Sequence, residues 1–424
     1  MPSRIVRNLR LFYAFRLLAT SYLFVPIFML VQADRGLSFF DRLALGGIYS
    51  AVIIIVEVPT GVFADLVGRR RSMIGGALAM VASCLLAARA DGFAEFAVAE
   101  SLAALSMALC SGADSAYLYD LLAAHDRTAE YPRRESTASA WHLLGCALAF
   151  AGGGLLAEIQ LALPYLVTAG VAAAAAVIAV LLDEDPRVAT QRAGRSAIRR
   201  SAIRLSVVRR SAIRSSAVRT WWNATVGAIA EVARNGRLAW LVGYSAVVFA
   251  LLRATIYVYQ PYLAERGLGL VAIGLLFAGV YLVASFVAFY THQLRAWLGD
   301  DRLLWGLLGV LAASFVGLAS AGSGPWMLGL LLVQAVANGV YSPLTKPLLN
   351  REIADSRSRA AVLSVESMAR RAAIGLFAPL VGLYGQTDVM LLCGLVGLGG
   401  LVVLAVAHVR MRMVLDRADV GEQI

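Results

Sequence analysis

An all-α membrane fold of twelve transmembrane helices in two pseudo-symmetric six-helix bundles follows from three features of the sequence. Twelve apolar runs of spanning length succeed one another, one long polar stretch separates the sixth from the seventh, and short motifs recur across that stretch at a nearly constant offset. The 424 residues are 60% hydrophobic and 15% charged, with mean hydropathy +0.73, whereas a soluble globular chain carries about one charged residue in four.

A crossing takes about 20 mainly apolar residues. Runs of that kind cover 11–31, 43–64, 72–90, 93–119, 136–157 and 163–182, then 238–263, 270–294, 303–321, 325–349, 360–383 and 389–411. They are continuous and too long for barrel strands, which alternate over about ten residues, so helices are predicted. The first run has full span length and no convincing small-residue cleavage site after it, so it is expected to stay. Cys84, Cys110, Cys146 and Cys393 all fall inside runs and are read as packing residues.

The net charge is +11, but its placement in loops speaks for membrane topology and against a nucleic-acid partner. Arg4, Arg7 and Arg10, then Arg69 to Arg71, Arg127, Arg133 and Arg134, then Lys346, Arg351, Arg357 and Arg359, and finally Arg410, Arg412 and Arg417 all lie on one side of the predicted bundle. Loops around Glu158, Ser323 and Asp388 on the other side hold no basic residue. Both termini are therefore expected in the cytoplasm. Lys346 is the single lysine, and this arginine-rich, alanine-rich usage points to a GC-rich bacterial source.

The expected domains are an N-terminal bundle over 1–182, a cytoplasmic Arg-rich linker over 183–236 and a C-terminal bundle over 237–424. Ala33, Asp34, Arg35, Gly36 and Leu37 recur as Ala264, Glu265, Arg266, Gly267 and Leu268, an offset of 267 minus 36, or 231. The same offset relates Thr60 and Gly68 to Thr291 and Gly299, and an offset of 227 relates Gly112 and Ser115 to Gly339 and Ser342. Duplication explains the common order. In the linker, a five-residue repeat sets Arg199, Arg204, Arg209, Arg214 and Arg219 apart. A five-residue step turns an α-helix by about 140° net, so these arginines would spiral and form no single face. The repeat is read as a tolerated expansion, with attraction to anionic membrane lipid as the functional alternative.

After the second run the chain reads Gly61, Val62, Phe63, Ala64, Asp65, Leu66, Val67, Gly68, Arg69, Arg70, Arg71. This resembles the GxxADxxGRR signature of the major facilitator superfamily, in the correct place between spans two and three and within a chain of the correct architecture. The glycines permit close helix approach and a tight turn, and Asp65 stands beside three arginines. The resemblance implies a conformational latch of Gly61, Asp65, Gly68, Arg69 and Arg70 that holds the halves together in the outward-facing state, with Asp120 at the end of span four as its partner. The second half keeps Gly299 but has Ala296 in place of the acid and Asp300 and Asp301 in place of arginines, so a single intact latch is expected. Span five offers Gly145, Ala149, Phe150, Gly153 and Gly154, without the proline of the exporter pattern GxxxGPxxGG.

Ionisable residues inside spans are costly and face a cavity or a partner. Glu57, two residues before Pro59, and Asp114, between Gly112 and Ser115, are the candidate proton-coupling acids, each with a structural ion pair as its alternative reading. Candidate cavity residues are Arg16, Arg253, Tyr257, Gln260, Gln334, Asn338, Glu366, Arg370 and Arg371, with Glu366 and Arg370 spaced to pair within one helix. At least one uncompensated positive charge is expected, which suits an anionic or zwitterionic substrate; organic cations would instead need Asp114 or Glu57 exposed.

The leading expectation is a monomeric secondary transporter of a small organic molecule in the cell membrane, with protons as partners, working by alternating access, and no cofactor. ATP drive is not expected without a GxxxxGKS or GxxxxGKT loop, nor enzyme activity without HExxH or a GxSxG elbow; His125, His142, His292 and His408 are scattered. Proton-coupled efflux, proton-coupled uptake of an anion, and a non-transporting receptor or scaffold are the competing readings.

Overall fold

The computed structural model describes residues 2–183, 225–322, 324–353, 359–384 and 389–421, and its regular elements there are all helical. The Arg pentapeptide repeat lies outside the described residues. The helices are α1 (Pro2–Leu18), α2 (Phe28–Asp34), α3 (Phe39–Val67), α4 (Arg69–Ala87), α5 (Phe93–Cys110), α6 (Ala113–Ala123), α7 (Tyr131–Ile159), α8 (Leu163–Leu181), α9 (Gly236–Glu265), α10 (Leu270–Leu298), α11 (Asp300–Ser320), α12 (Pro325–Glu352), α13 (Arg359–Leu383) and α14 (Val389–Gly421).

Ten candidate spans among the described residues are long and apolar enough to cross a membrane. Expected spans one and eleven fall outside that set for physical reasons. The first is broken between α1 and α2, and α13 carries Glu366, Arg370 and Arg371 in its middle. The fourth is interrupted at Gly112, whose φ of +77 only glycine adopts readily.

Two compact units divide the chain. The first comprises residues 1–213 and 263–281 and the second 214–262 and 282–424. In the first unit, α4 packs on α5 and α8. Lipid supplies no hydrophobic drive between helices, so close contact of small residues and interhelical hydrogen bonds hold them. Ala172, Ala175, Ala176 and Ala179 bury one face of α8, while Ser72 and Ser83 of α4 donate to the carbonyls of Leu109 and Ala99 at 2.6 and 2.8 Å.

Non-helical backbone survives at membrane depth only when buried in protein, and the break at 19–27 meets that condition. Leu23 N donates to Thr168 Oγ1 of α8 at 3.1 Å. His142 Nδ1 lies 2.6 Å from Thr20 Oγ1, and Cys146 Sγ donates to the Thr20 carbonyl at 3.5 Å. Gly145 and Gly153 of α7 bring its backbone against the carbonyls of Leu17 and Leu23, where a Cβ would collide.

The second unit is tied by aromatic side chains of α9. Trp240 Nε1 donates to the Leu404 carbonyl of α14 and Tyr244 Oη to the Leu304 carbonyl of α11, both at 2.8 Å. Gly397 of α14 meets α11 at Ala312, whose Cβ would lie 2.7 Å from an added one.

The sequence offset of 231 has a backbone counterpart. Gly36 and Gly267 have φ of +79 and +78. Each follows the same pair of turn bonds, Gly36 N to Ala33 O and Leu37 N to Gln32 O, then Gly267 N to Ala264 O and Leu268 N to Leu263 O, over 2.9 to 3.2 Å. Thr60 and Thr291 likewise donate four residues back, to Val56 O at 2.8 Å and Val287 O at 3.0 Å.

Gly153→Ala is expected to destabilise the detergent-purified protein by about 1–3 kcal/mol, read as a lowered thermal midpoint. Gly170→Ala, with nothing within 4 Å of the added Cβ, should leave the midpoint unchanged or slightly raised. Equal midpoints would contradict the tight packing of α7 on the 19–27 segment.

Candidate functional site

Arg16 lies in the last turn of α1 and Asp114 in the first turn of α6, at two helix breaks. A helix end carries about half an elementary charge, negative at the C-terminus and positive at the N-terminus, so each site favours the charge it holds. The Arg16 guanidinium donates to Asp114 Oδ2, with the two side chains 16% and 11% exposed. Ser115 N donates to Asp114 Oδ1 at 2.7 Å, and Ser115 Oγ donates to Glu135 Oε1 of α7 at 2.9 Å. Glu135 Oε2 is buried with no hydrogen-bond partner among the described residues. Two carboxylates from α6 and α7 thus share the neighbourhood of one guanidinium from α1. The approach to α7 is ordered by Glu130, which accepts from Arg127 Nε at 2.5 Å and Arg134 Nε at 3.1 Å. The Arg127 bond, with that of Arg134, holds the Glu130 carboxyl below its ordinary range.

The second unit holds a different constellation. Glu366 and Arg370 pair within α13 at 2.7 Å. Ser245 Oγ of α9 donates to the same Glu366 carboxylate, and Tyr341 Oη of α12 lies 2.7 Å from that hydroxyl. The Arg370 guanidinium stands 4.9 Å from the Phe249 ring centroid, a cation–π contact. Tyr259 Oη donates to Gln334 Oε1, whose amide nitrogen donates to Ser314 Oγ at 2.9 Å. Tyr257 and Gln260 are buried, Gln260 donating to the Ile256 carbonyl at 2.8 Å, and Arg253, Asn338 and Arg371 are half-buried. Glu57 is half-buried on α3.

At the start of α4, Gly68 has φ +119 and Gly61 is exposed. The side chain of Asp65 lies outside the described residues. Arg69 and Asp120 are half-buried. Arg70 donates from Nε to the Ala179 carbonyl at 3.1 Å and from Nη2 to the Val180 carbonyl, covering the last carbonyls of α8. The corresponding turn in the second unit carries an Arg–Asp ion pair. Arg295 donates to both oxygens of Asp300 at 2.7 and 3.1 Å and to the Pro343 carbonyl at 3.3 Å. Asp300 stands 300 minus 69, or 231, after Arg69. Arg237 donates to Asp301 at 3.0 Å, beside a cavity of about 450 Å³ lined also by Arg351 and Glu352.

Sequence reasoning brought Glu366 to Arg370 but missed Glu135, Ser245, Tyr341 and the Arg295–Asp300 pair. Span five was expected to begin at residue 136, one residue beyond Glu135, whereas α7 starts at Tyr131 with Pro132 in its first turn. That proline was the available signal, since proline favours the first helical positions. No comparable cue marks Ser245 and Tyr341.

The chain matches the family model described as Major Facilitator Superfamily over residues 11–379. No curated protein sequence matches it. Among solved structures it is similar to the nucleoside transporter NupG, at 12% identity and TM-score 0.75, covering 95% of this chain and 98% of that one. It is similar also to the peptide transporter POT in complex with sulfate, at 18% identity and TM-score 0.71, covering 97% and 94%. A POT family transporter in complex with 5-aminolevulinic acid matches at 13% identity and TM-score 0.69, covering 94% and 96%. At these identities the likeness is one of fold.

Removing one partner of a buried ion pair leaves an uncompensated charge and costs about 3–5 kcal/mol. Arg16→Ala and Asp114→Ala are each expected to destabilise the purified protein by that order, and the double variant by clearly less than the sum. Additive losses in thermal unfolding would contradict the pairing. The more exposed Arg295–Asp300 pair is worth about 1 kcal/mol. Arg295→Asp should lower stability and the double reversal with Asp300→Arg should recover at least half of the loss.

Proposed function

The chain belongs to the major facilitator superfamily, and from that premise we propose that it exports a small organic molecule across the cytoplasmic membrane in exchange for protons, by alternating access. The observation that carries this reading is the Arg16, Asp114 and Glu135 constellation at the breaks of α1 and α6. Ionisable groups inside spans mark substrate paths and proton relays, and discontinuous helices are where such transporters build their sites. We further propose twelve spans in two bundles joined by the 183–236 linker, both termini in the cytoplasm, and a bacterial source.

The charge arrangement favours export of cationic or neutral compounds in one respect. Arg16 and Arg370, two of the four cavity arginines, have carboxylate partners in Asp114 and Glu366. Latch function is assigned to the turn between α3 and α4, with Asp65, Arg69 and Asp120 as its charges. A second reading, uptake of an anion, draws on the positively charged C-terminal candidates Arg253, Arg370 and Arg371. That reading makes Arg253 the substrate contact.

Energised inverted vesicles containing the protein, with a pH-sensitive dye and a panel of organic cations and anions, test both. Protein-dependent collapse of the gradient with cations is the expected result. A response confined to anions and lost in Arg253→Ala would replace export by anion transport. Binding with no flux of any compound would make the protein a receptor or scaffold and sink the transport reading.

A further inference from the structure

We infer that Glu135 is the residue that takes up and releases the coupling proton, and that Asp114 is the fixed counter-ion of Arg16. The inference rests on the proposed proton-coupled reading and moves its proton to a residue the sequence did not single out. The two acids share the field of Arg16 but differ in the hydrogen bonds that stabilise a carboxylate. Asp114 has the Arg16 guanidinium, the Ser115 backbone N–H at 2.7 Å and the N-terminal turn of α6. Each favours its ionised form. Glu135 has one bond from a neutral hydroxyl, Ser115 Oγ at 2.9 Å, on Oε1. Its Oε2 is buried with no hydrogen-bond partner among the described residues, where a bare anionic oxygen is costly and a protonated one is not.

Among the described residues, Glu135 interacts with Arg16 of α1, Ser115 of α6 and Tyr131 on its own helix, and Asp114 is joined to it through Ser115 and Arg16. Cys110, Cys146 and His142 lie within electrostatic range of Arg16. A proton from water binds at Oε2 to give the neutral acid, leaving Arg16 and Asp114 as a neutral pair. When the proton leaves, two carboxylates compete for one guanidinium. Arg16 is then drawn from α6 toward α7, which loosens the junction of the two helix breaks. Ser115 bonds both acids and so registers the change.

Difference infrared spectroscopy of the purified full chain through a pH titration tests this without a substrate. The wild type should show a protonated carboxyl band that titrates and is absent in Glu135→Gln, while Asp114→Asn keeps a band with a shifted midpoint. Ser115→Ala, which removes only the hydroxyl bond, should shift the midpoint of the band without abolishing it. A wild-type band that persists in Glu135→Gln, or disappears in Asp114→Asn alone, overturns the assignment, as does the absence of any titrating carboxyl. If the Glu135 band is present but vesicles show no proton movement, the proton site stands and the coupled-transport reading fails.

Discussion

Burying a guanidinium and a carboxylate among apolar helices costs several kcal/mol per ion unless geometry and hydrogen bonds offset it. The first unit meets that cost by placing Arg16 and Asp114 at helix ends whose partial charges suit them. Much of the unit follows from that placement. For Arg16 to end a helix, the chain must break after Leu18, and the broken segment needs partners for its backbone, supplied by Thr168, Cys146 and the close approach of Gly145 and Gly153. For Asp114 to begin a helix, the fourth span must break as well, and Gly112 in the left-handed region does this. One ion pair and two interruptions form a single arrangement, with Glu135 joined to it through Ser115.

The same turn geometry recurs along the chain at places that hold different charges. Gly36 and Gly267, and Gly68 and Gly299, keep positive φ at positions 231 apart, so turn geometry has outlasted side-chain identity. Gly339, which answers Gly112 in the sequence, lies inside continuous α12, and no break is formed there. The buried acid is instead neutralised within one helix by Arg370 and held by Ser245 of α9. At the turn after α10, Arg295 pairs with Asp300. The turns thus repeat at a spacing of 231 residues, while the placement of charge does not.

The helices were legible because apolar runs of about 20 residues have few soluble alternatives, and the turns were legible because glycine at positive φ leaves a short motif. The breaks in spans one and four were not. Residues 19–27 carry a cue in Pro26 but are as apolar as their neighbours on average, and the break depends on α7 and α8, which are distant in sequence. The spacing of Glu366 and Arg370 revealed their pair because a helix repeats every 3.6 residues. The pairing of Arg16 with Asp114, 98 residues apart, left only two buried charges to suggest it. Glu135 was lost to a helix boundary set five residues after the start of α7.

The claim on which the account stands is that one ion pair ties two helix breaks together. Hydrogen–deuterium exchange of the wild type and Asp114→Asn tests it most directly. The account predicts that the variant loses protection both around 110–116 and across 17–27, while α4 and α8 keep theirs. Loss confined to 110–116, with 17–27 unchanged, would contradict it.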